Sequence, residues 1–142
     1  MQKEEIYKNL FNLVAKLKSS DDPKRKYEYI LWLGKKLETP SNEIIIEKNK
    51  VKGCVSEVFV EASMHEGKLY WKGYSDALIT KGLLAFLITG LNALTPEEII
   101  NVNDDFIEQT GLKKSLTPSR SNGFLNILLK MKSQANEFLM RS

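Results

Sequence analysis

The hydrophobic period of this chain changes from helical to two-fold and back within 142 residues, and that switch constrains the fold most. Ser56, Val58, Val60 and Ala62 alternate with Glu57, Phe59, Glu61 and Ser63, the pattern of a strand with one buried face. Met64-His65-Glu66-Gly67 reads as a turn, and Lys68 to Tyr74 as an aromatic-rich returning strand. A short strand around Ile44 to Val51 is expected beside them. On either side the period is helical. Ile6, Leu10, Leu13, Val14 and Leu17 form one stripe, ending near Ser19-Ser20. Asp21-Asp22-Pro23 opens a second helix with the stripe Tyr27, Ile30, Leu31, Leu33 and Leu37.

After the strands, Ser75-Asp76 reads as the cap of a helix from Ala77 to about Thr89, closed by Gly90. Thr95-Pro96-Glu97-Glu98 starts a short helix, and Asp104 to Thr110 another, stopped by Gly111. In the last helix Phe124, Ile127, Leu128, Met131, Ala135 and Phe138 share a face. With no linker, repeat or low-complexity tract, the expectation is a single α+β domain over 1–142. It is a small antiparallel sheet of about three strands with helices packed on one face.

Composition narrows the chemistry. Twenty-one Lys and Arg against eighteen Asp and Glu leave a net charge of +3, spread along the chain rather than gathered into a nucleic-acid-binding stripe. The most apolar window, Ala77 to Leu91, carries Lys81 and is shorter than a bilayer span. The acidic start fits neither a secretory signal nor a transit peptide. A single Cys and a single His exclude an internal disulfide and a multi-cysteine metal cage. No metal, nucleic-acid or membrane partner is expected, and a lone free thiol points to the cytoplasm.

Covalent chemistry, if there is any, therefore centres on Cys54. A free Cys is commonly a small buried hydrophobe, and that reading stays open. Gly53 permits an unusual turn beside it, and Lys48, Lys50 and Lys52 bring positive charge. His65 is no partner: eleven extended residues put it roughly 30–35 Å away. A turn centred between His65 and Glu66 would place Cys54 opposite Ala77, near the N-terminus of the helix capped by Asp76. That dipole would lower the thiol pKa, with the charge of Asp76 opposing it, whereas burial of a thiol sheltered in the free protein would by itself raise it. Val51 and Val55 flank the site and are expected to dip into the apolar interior.

Three blocks carry a resemblance. They are Gly53-Cys54-Val55-Ser56-Glu57-Val58; Gly73-Tyr74-Ser75-Asp76-Ala77 with Lys81-Gly82-Leu83; and Leu116-Thr117-Pro118-Ser119-Arg120-Ser121-Asn122-Gly123. In this order and spacing, around the only cysteine, the chain resembles the SufE/CsdE family of cysteine-desulfurase partner proteins. Phe59 stands where that family commonly has Trp.

The resemblance implies sulfur relay. Cys54 would take persulfide sulfur from a SufS/CsdA-type cysteine desulfurase, stimulate it, and pass the sulfur to an iron–sulfur scaffold complex. The chain would need no cofactor, the pyridoxal phosphate belonging to the desulfurase, and would be a monomer or a homodimer. IscU-type scaffolds share the fold but hold a cluster with several cysteines, and this chain has one. Gly53, Asp76 and Arg120 are the supporting candidates. Asp76 would tune the thiol, touch the partner or merely cap its helix; Arg120 would pair with Asp76 or a partner carboxylate, or anchor the loop. Lys81 reads as a solvated edge, and Asn122 and Gly123 as shaping the last helix's first turn. The alternatives are a helical adaptor with an inert cysteine and a thiol enzyme, for which no nearby base is visible.

Overall fold

Both stretches of helical period before residue 40 become helices in the computed structural model, which describes residues 5–141. Helix α1 (Lys8–Lys18) buries Leu10, Leu13, Val14 and Leu17. Ile6, expected in that stripe, is exposed. Tyr7 is buried in its stead, because its hydroxyl reaches a partner inside, donating to the Glu98 carbonyl at 2.7 Å. Helix α2 (Pro23–Lys35) is capped by Asp22, which accepts from the Lys24 amide at 3.0 Å. Its buried face is Lys26, Ile30, Leu33 and Gly34, and Tyr27 is exposed. Lys26 can lie inward because its ammonium group donates to the Thr110 carbonyl at 2.7 Å while its stem packs.

The sheet has two strands, β1 (Val58–His65) and β2 (Lys68–Ser75), paired antiparallel from Val58–Ser75 to His65–Lys68. The reversal is made by Glu66 and Gly67, with φ of 51° and 81°. Two left-handed residues make the tight hairpin whose twist suits the strands. The turn thus lies one residue later than the sequence implied, which shifts each residue's partner by two and leaves Cys54 before the ladder. No strand forms over 44–51. Asn42–Ile44 and Glu47–Asn49 are 3₁₀ turns, held by the buried Asn49 amide, which donates to the Ile44 carbonyl at 3.0 Å and Glu61 Oε2 at 3.1 Å. Only Lys50 bridges to β1, opposite Phe59.

Helix α3 (Leu78–Leu91) is buried on almost every side. Its N-cap is Ala77, with no side-chain cap, and Gly90 does not close it but lies within it. A Cβ there would stand 2.9 Å from Leu10 Cδ1, so that glycine serves the approach of α1 rather than a stop. Helix α4 (Pro96–Ile100) has the reciprocal Thr95–Glu98 capping box, α5 (Asp105–Gln109) ends before Gly111 in a left-handed conformation, and α6 (Pro118–Arg141) buries Phe124, Ile127, Leu128, Met131 and Ala135. Helix α6 packs on β1, α3 on β2, and α2 on α3. Among the described residues no helix is long and apolar enough to cross a membrane.

Candidate functional site

Cys54 lies on the loop 52–57, between the buried Val51 and the first residue of β1. The two ends of the loop are tied by the Val51 amide, which donates to the Val58 carbonyl at 2.8 Å. At Gly53 φ is +80°, which L side chains rarely adopt. Its carbonyl accepts from Asn126 Nδ2 of α6 at 3.1 Å, and a Cβ at Gly53 would lie 2.5 Å from that nitrogen. The loop turns directly on the Asn126 amide.

Three further fastenings hold the second half of the loop. The Glu57 amide donates to Asp76 Oδ1 at 3.0 Å, and the Asp76 amide donates to the Glu57 carbonyl at 3.2 Å. Arg120 donates through one guanidinium nitrogen to Ser56 Oγ and, at 2.7 Å, to Thr80 Oγ1 of α3. Lys50 Nζ stands 3.7 Å from Glu57 Oε2. Asp76 and Arg120 therefore meet the same loop, but through different atoms: Arg120 pairs with hydroxyls rather than with Asp76, and Asp76 receives a main-chain amide rather than capping α3.

The thiol itself is half-buried, with Sγ 3.9 Å from the Gly123 carbonyl and in contact range of any Cβ placed at Gly123. It rests on the first turns of α6, not at the N-terminus of α3. The lowering expected from a helix N-terminus is therefore lost, and the raising expected from burial stands. Burial pushes the Cys54 thiol above its ordinary pKa, and the Arg120 guanidinium draws it part of the way back. Of the two flanking valines only Val51 turns inward; Val55 is 71% exposed, as is Leu78, at 73%, on the first residue of α3. Gly53 thus lets one side of the loop be pinned while Val55 stands out.

His65 lies at the far end of β1, beside Glu66, and is remote from the thiol in the ladder. Lys81 is half-buried and Asn122 exposed. Asn126, Ser56 and Thr80 were missed by sequence reasoning. Asn126 follows Gly123 by three residues, so the two share a helix face, a signal visible only once Gly123 is known to touch the thiol.

A half-buried thiol of raised pKa should react slowly. Alkylation of Cys54 in the native protein is expected to be slower than in urea-unfolded protein at one pH, after correction for the denaturant, with a pH midpoint above that of the unfolded chain. Asn126→Leu keeps the size without adding a charge but removes the donor to Gly53, and should speed the native reaction severalfold with little loss of thermal stability. Equal native and unfolded rates in the unsubstituted protein would show the loop to be open.

The fold and the site define a class: an α+β domain presenting one cysteine on a loop fastened by Asp76 just after β2 and from α3 and α6. Residues 11–135 match the SufE family model, an Fe-S metabolism associated domain. Over 130 residues the chain is 52% identical to an uncharacterized SufE-like protein of Synechocystis, covering 92% of this chain and 82% of that one. It is 39% identical to the chloroplastic/mitochondrial SufE-like protein 1 of Arabidopsis thaliana and 36% identical to the cysteine desulfuration protein SufE of Plasmodium falciparum. Those matches cover 93% and 86% of this chain, but only 36% and 54% of the longer relatives. The solution structure of a hypothetical protein from Thermus thermophilus has the same fold, with a TM-score of 0.81 over 95% of this chain and 98% of that one at 24% identity. The chain belongs to the SufE family.

Proposed function

We propose that this protein is a sulfur acceptor and relay, taking persulfide sulfur from a cysteine desulfurase onto Cys54 and handing it to an iron–sulfur scaffold. The observation that carries this reading is the only cysteine of the chain, held on a turn that Gly53 permits and within the influence of the Arg120 charge, which draws its pKa down. Membership of a family with a role in Fe–S metabolism, and relatives described as cysteine desulfuration proteins, supply the class of partner.

The step is a thiol–disulfide-type exchange. The Cys54 thiolate attacks the outer sulfur of the desulfurase persulfide; a new S–S bond forms on Cys54, the old one breaks, and the desulfurase cysteine leaves as its thiolate. One bond replaces another, so no external oxidant or reductant is needed. The proton of Cys54 must leave first, and the raised pKa makes that the costly part of the resting state. Docking that frees the loop from its burial would lower the pKa and expose the sulfur together, while Arg120 stabilises the anion.

Val55 and Leu78 offer exposed apolar side chains to the partner. Because no second cysteine exists, the acquired persulfide cannot collapse into an internal disulfide. A reducing compartment such as the cytoplasm fits a free thiol, and shelter protects the persulfide there. The chain itself would carry no cofactor; the pyridoxal phosphate belongs to the desulfurase.

The test is the intact mass of the protein after incubation with a cysteine desulfurase and L-cysteine. A gain of one sulfur atom, located on Cys54 and removed by a thiol reductant, is expected. An unchanged mass together with unstimulated sulfide release would favour an adaptor whose cysteine is inert.

A further inference from the structure

The two edges of the sheet are finished differently. Along the outer side of β1, Gln134 of α6 accepts from the Ala62 amide at 2.9 Å and donates to the Val60 carbonyl at 2.7 Å, and Val51 closes the end at Val58. Along the outer side of β2, among the described residues, only Leu69 is met. Its amide donates to the Leu94 carbonyl at 2.7 Å, and its carbonyl accepts from Ala93 at 2.9 Å. These bonds fix the phase of the strand. Leu69 turns its main-chain groups away from β1, so by the two-residue repeat Trp71 and Gly73 do the same. Their register partners, Ala62 and Val60, confirm the phase by turning away from β2 to Gln134.

Among the described residues, nothing is hydrogen-bonded to the outward main chain of Trp71 or Gly73. A cleft of ≈ 620 Å³ runs along this edge. Gly73 helps to line it, and having no side chain it can do so only with main-chain atoms. The facing wall is aromatic and apolar: Tyr29, Trp32 and Leu33 from α2, then Leu37 and Pro40. Trp32 is 47% exposed, stacked on Tyr29 with ring centroids 5.6 Å apart, and Lys36 Nζ sits 3.8 Å from its ring centre. The indole N–H of Trp71, on the near wall, is buried without a partner. Lys36 and Lys72 line the cleft against one carboxylate, Glu38.

We propose that this cleft binds an extended segment of a partner protein, which adds to β2 as a further strand. Main-chain N–H and C=O groups at Trp71 and Gly73 supply the pairing, which only an extended peptide can match in period. Alternate side chains of the segment enter the aromatic wall, and the two lysines favour acidic residues between them. The Cys54 loop sits on α6, which closes the opposite edge, so a partner held here leaves the thiol uncovered. The inference does not depend on sulfur relay and stands or falls separately from it.

The chain has two tryptophans, and both line the cleft, so its indole emission reports on this place. The probe is an end-capped pentapeptide of alternating glutamate and valine, with a copy N-methylated along its main chain and a lysine–valine copy. Amide hydrogen exchange at Trp71 and Gly73 is expected to be fast in the free protein and to slow about tenfold with the first peptide, with a shift in emission. The N-methylated copy should bind about tenfold more weakly, and the lysine copy more weakly than the glutamate one. Slow exchange at both amides in the free protein would overturn the proposal, since the edge would already be closed. So would equal binding of the N-methylated peptide, equal binding of the lysine peptide, or no response at millimolar peptide. Exchange that slows with protein concentration alone would assign the edge to a second copy of this chain instead.

Discussion

Cys54→Ser is expected to abolish sulfur acceptance while leaving the fold intact. The substitution is close to isosteric at a half-buried site, and the loop is held by Gly53, Ser56 and Glu57 rather than by the thiol. The stability change should therefore stay within about 1 kcal/mol. A hydroxyl cannot take up sulfane sulfur, so labelled sulfur on the protein should fall to background and stimulation of sulfide release should disappear. Full stimulation by the serine form, at unchanged melting temperature, would overturn the relay and leave a docking role.

The second large effect is on stability. Gly82→Ala would put a Cβ into the Ile30 carbonyl and within 2.6 Å of Ile30 Cγ2. The contact is reciprocal, because a Cβ on Gly34 would stand 2.9 Å from the Gly82 amide nitrogen. Helices α2 and α3 meet backbone to backbone there. Overpacking of this kind costs about 3 kcal/mol, and the better helix propensity of alanine returns about 1 kcal/mol. The net loss of about 2 kcal/mol should lower the melting temperature by about 4–8 °C. Gly34→Ala should cost less, since its nearest contact is longer. If Gly82→Ala melts with the unsubstituted protein, the helices separate freely and the close approach is not needed.

Both predictions start from residues visible in the sequence, but they were legible to different degrees. Gly82 sits in one of the blocks that carry the resemblance, yet nothing local says why it is glycine; the reason is a carbonyl on another helix. Gly90 shows the same limit more sharply. A glycine after an apolar run reads as a helix end, whereas the helix passes through it because Leu10 of α1 needs the space. Lys26 is a third case, a charged residue on the buried face because a carbonyl 84 positions away accepts its proton.

Local chemistry decided what the sequence could state alone. Period-two alternation and helical stripes reflect one-sided burial, which each segment encodes in its own side chains, so the α+β class and most helices were readable. So were the acidic cap before Pro23, the helix start at Thr95-Pro96 and the singularity of Cys54, because they depend on near neighbours or on counting. Tertiary structure decided the rest. A turn placed one residue later shifted the whole ladder, moved Cys54 out of it and set the thiol against α6 instead of α3. That exchange removed the helix N-terminus expected to lower its pKa and left the burial that raises it, with the charge of Arg120 opposing. Asn126, Ser56 and Thr80 entered the site for the same reason: a hydrogen bond across the fold depends on where two elements pack, and no spacing along the chain records it.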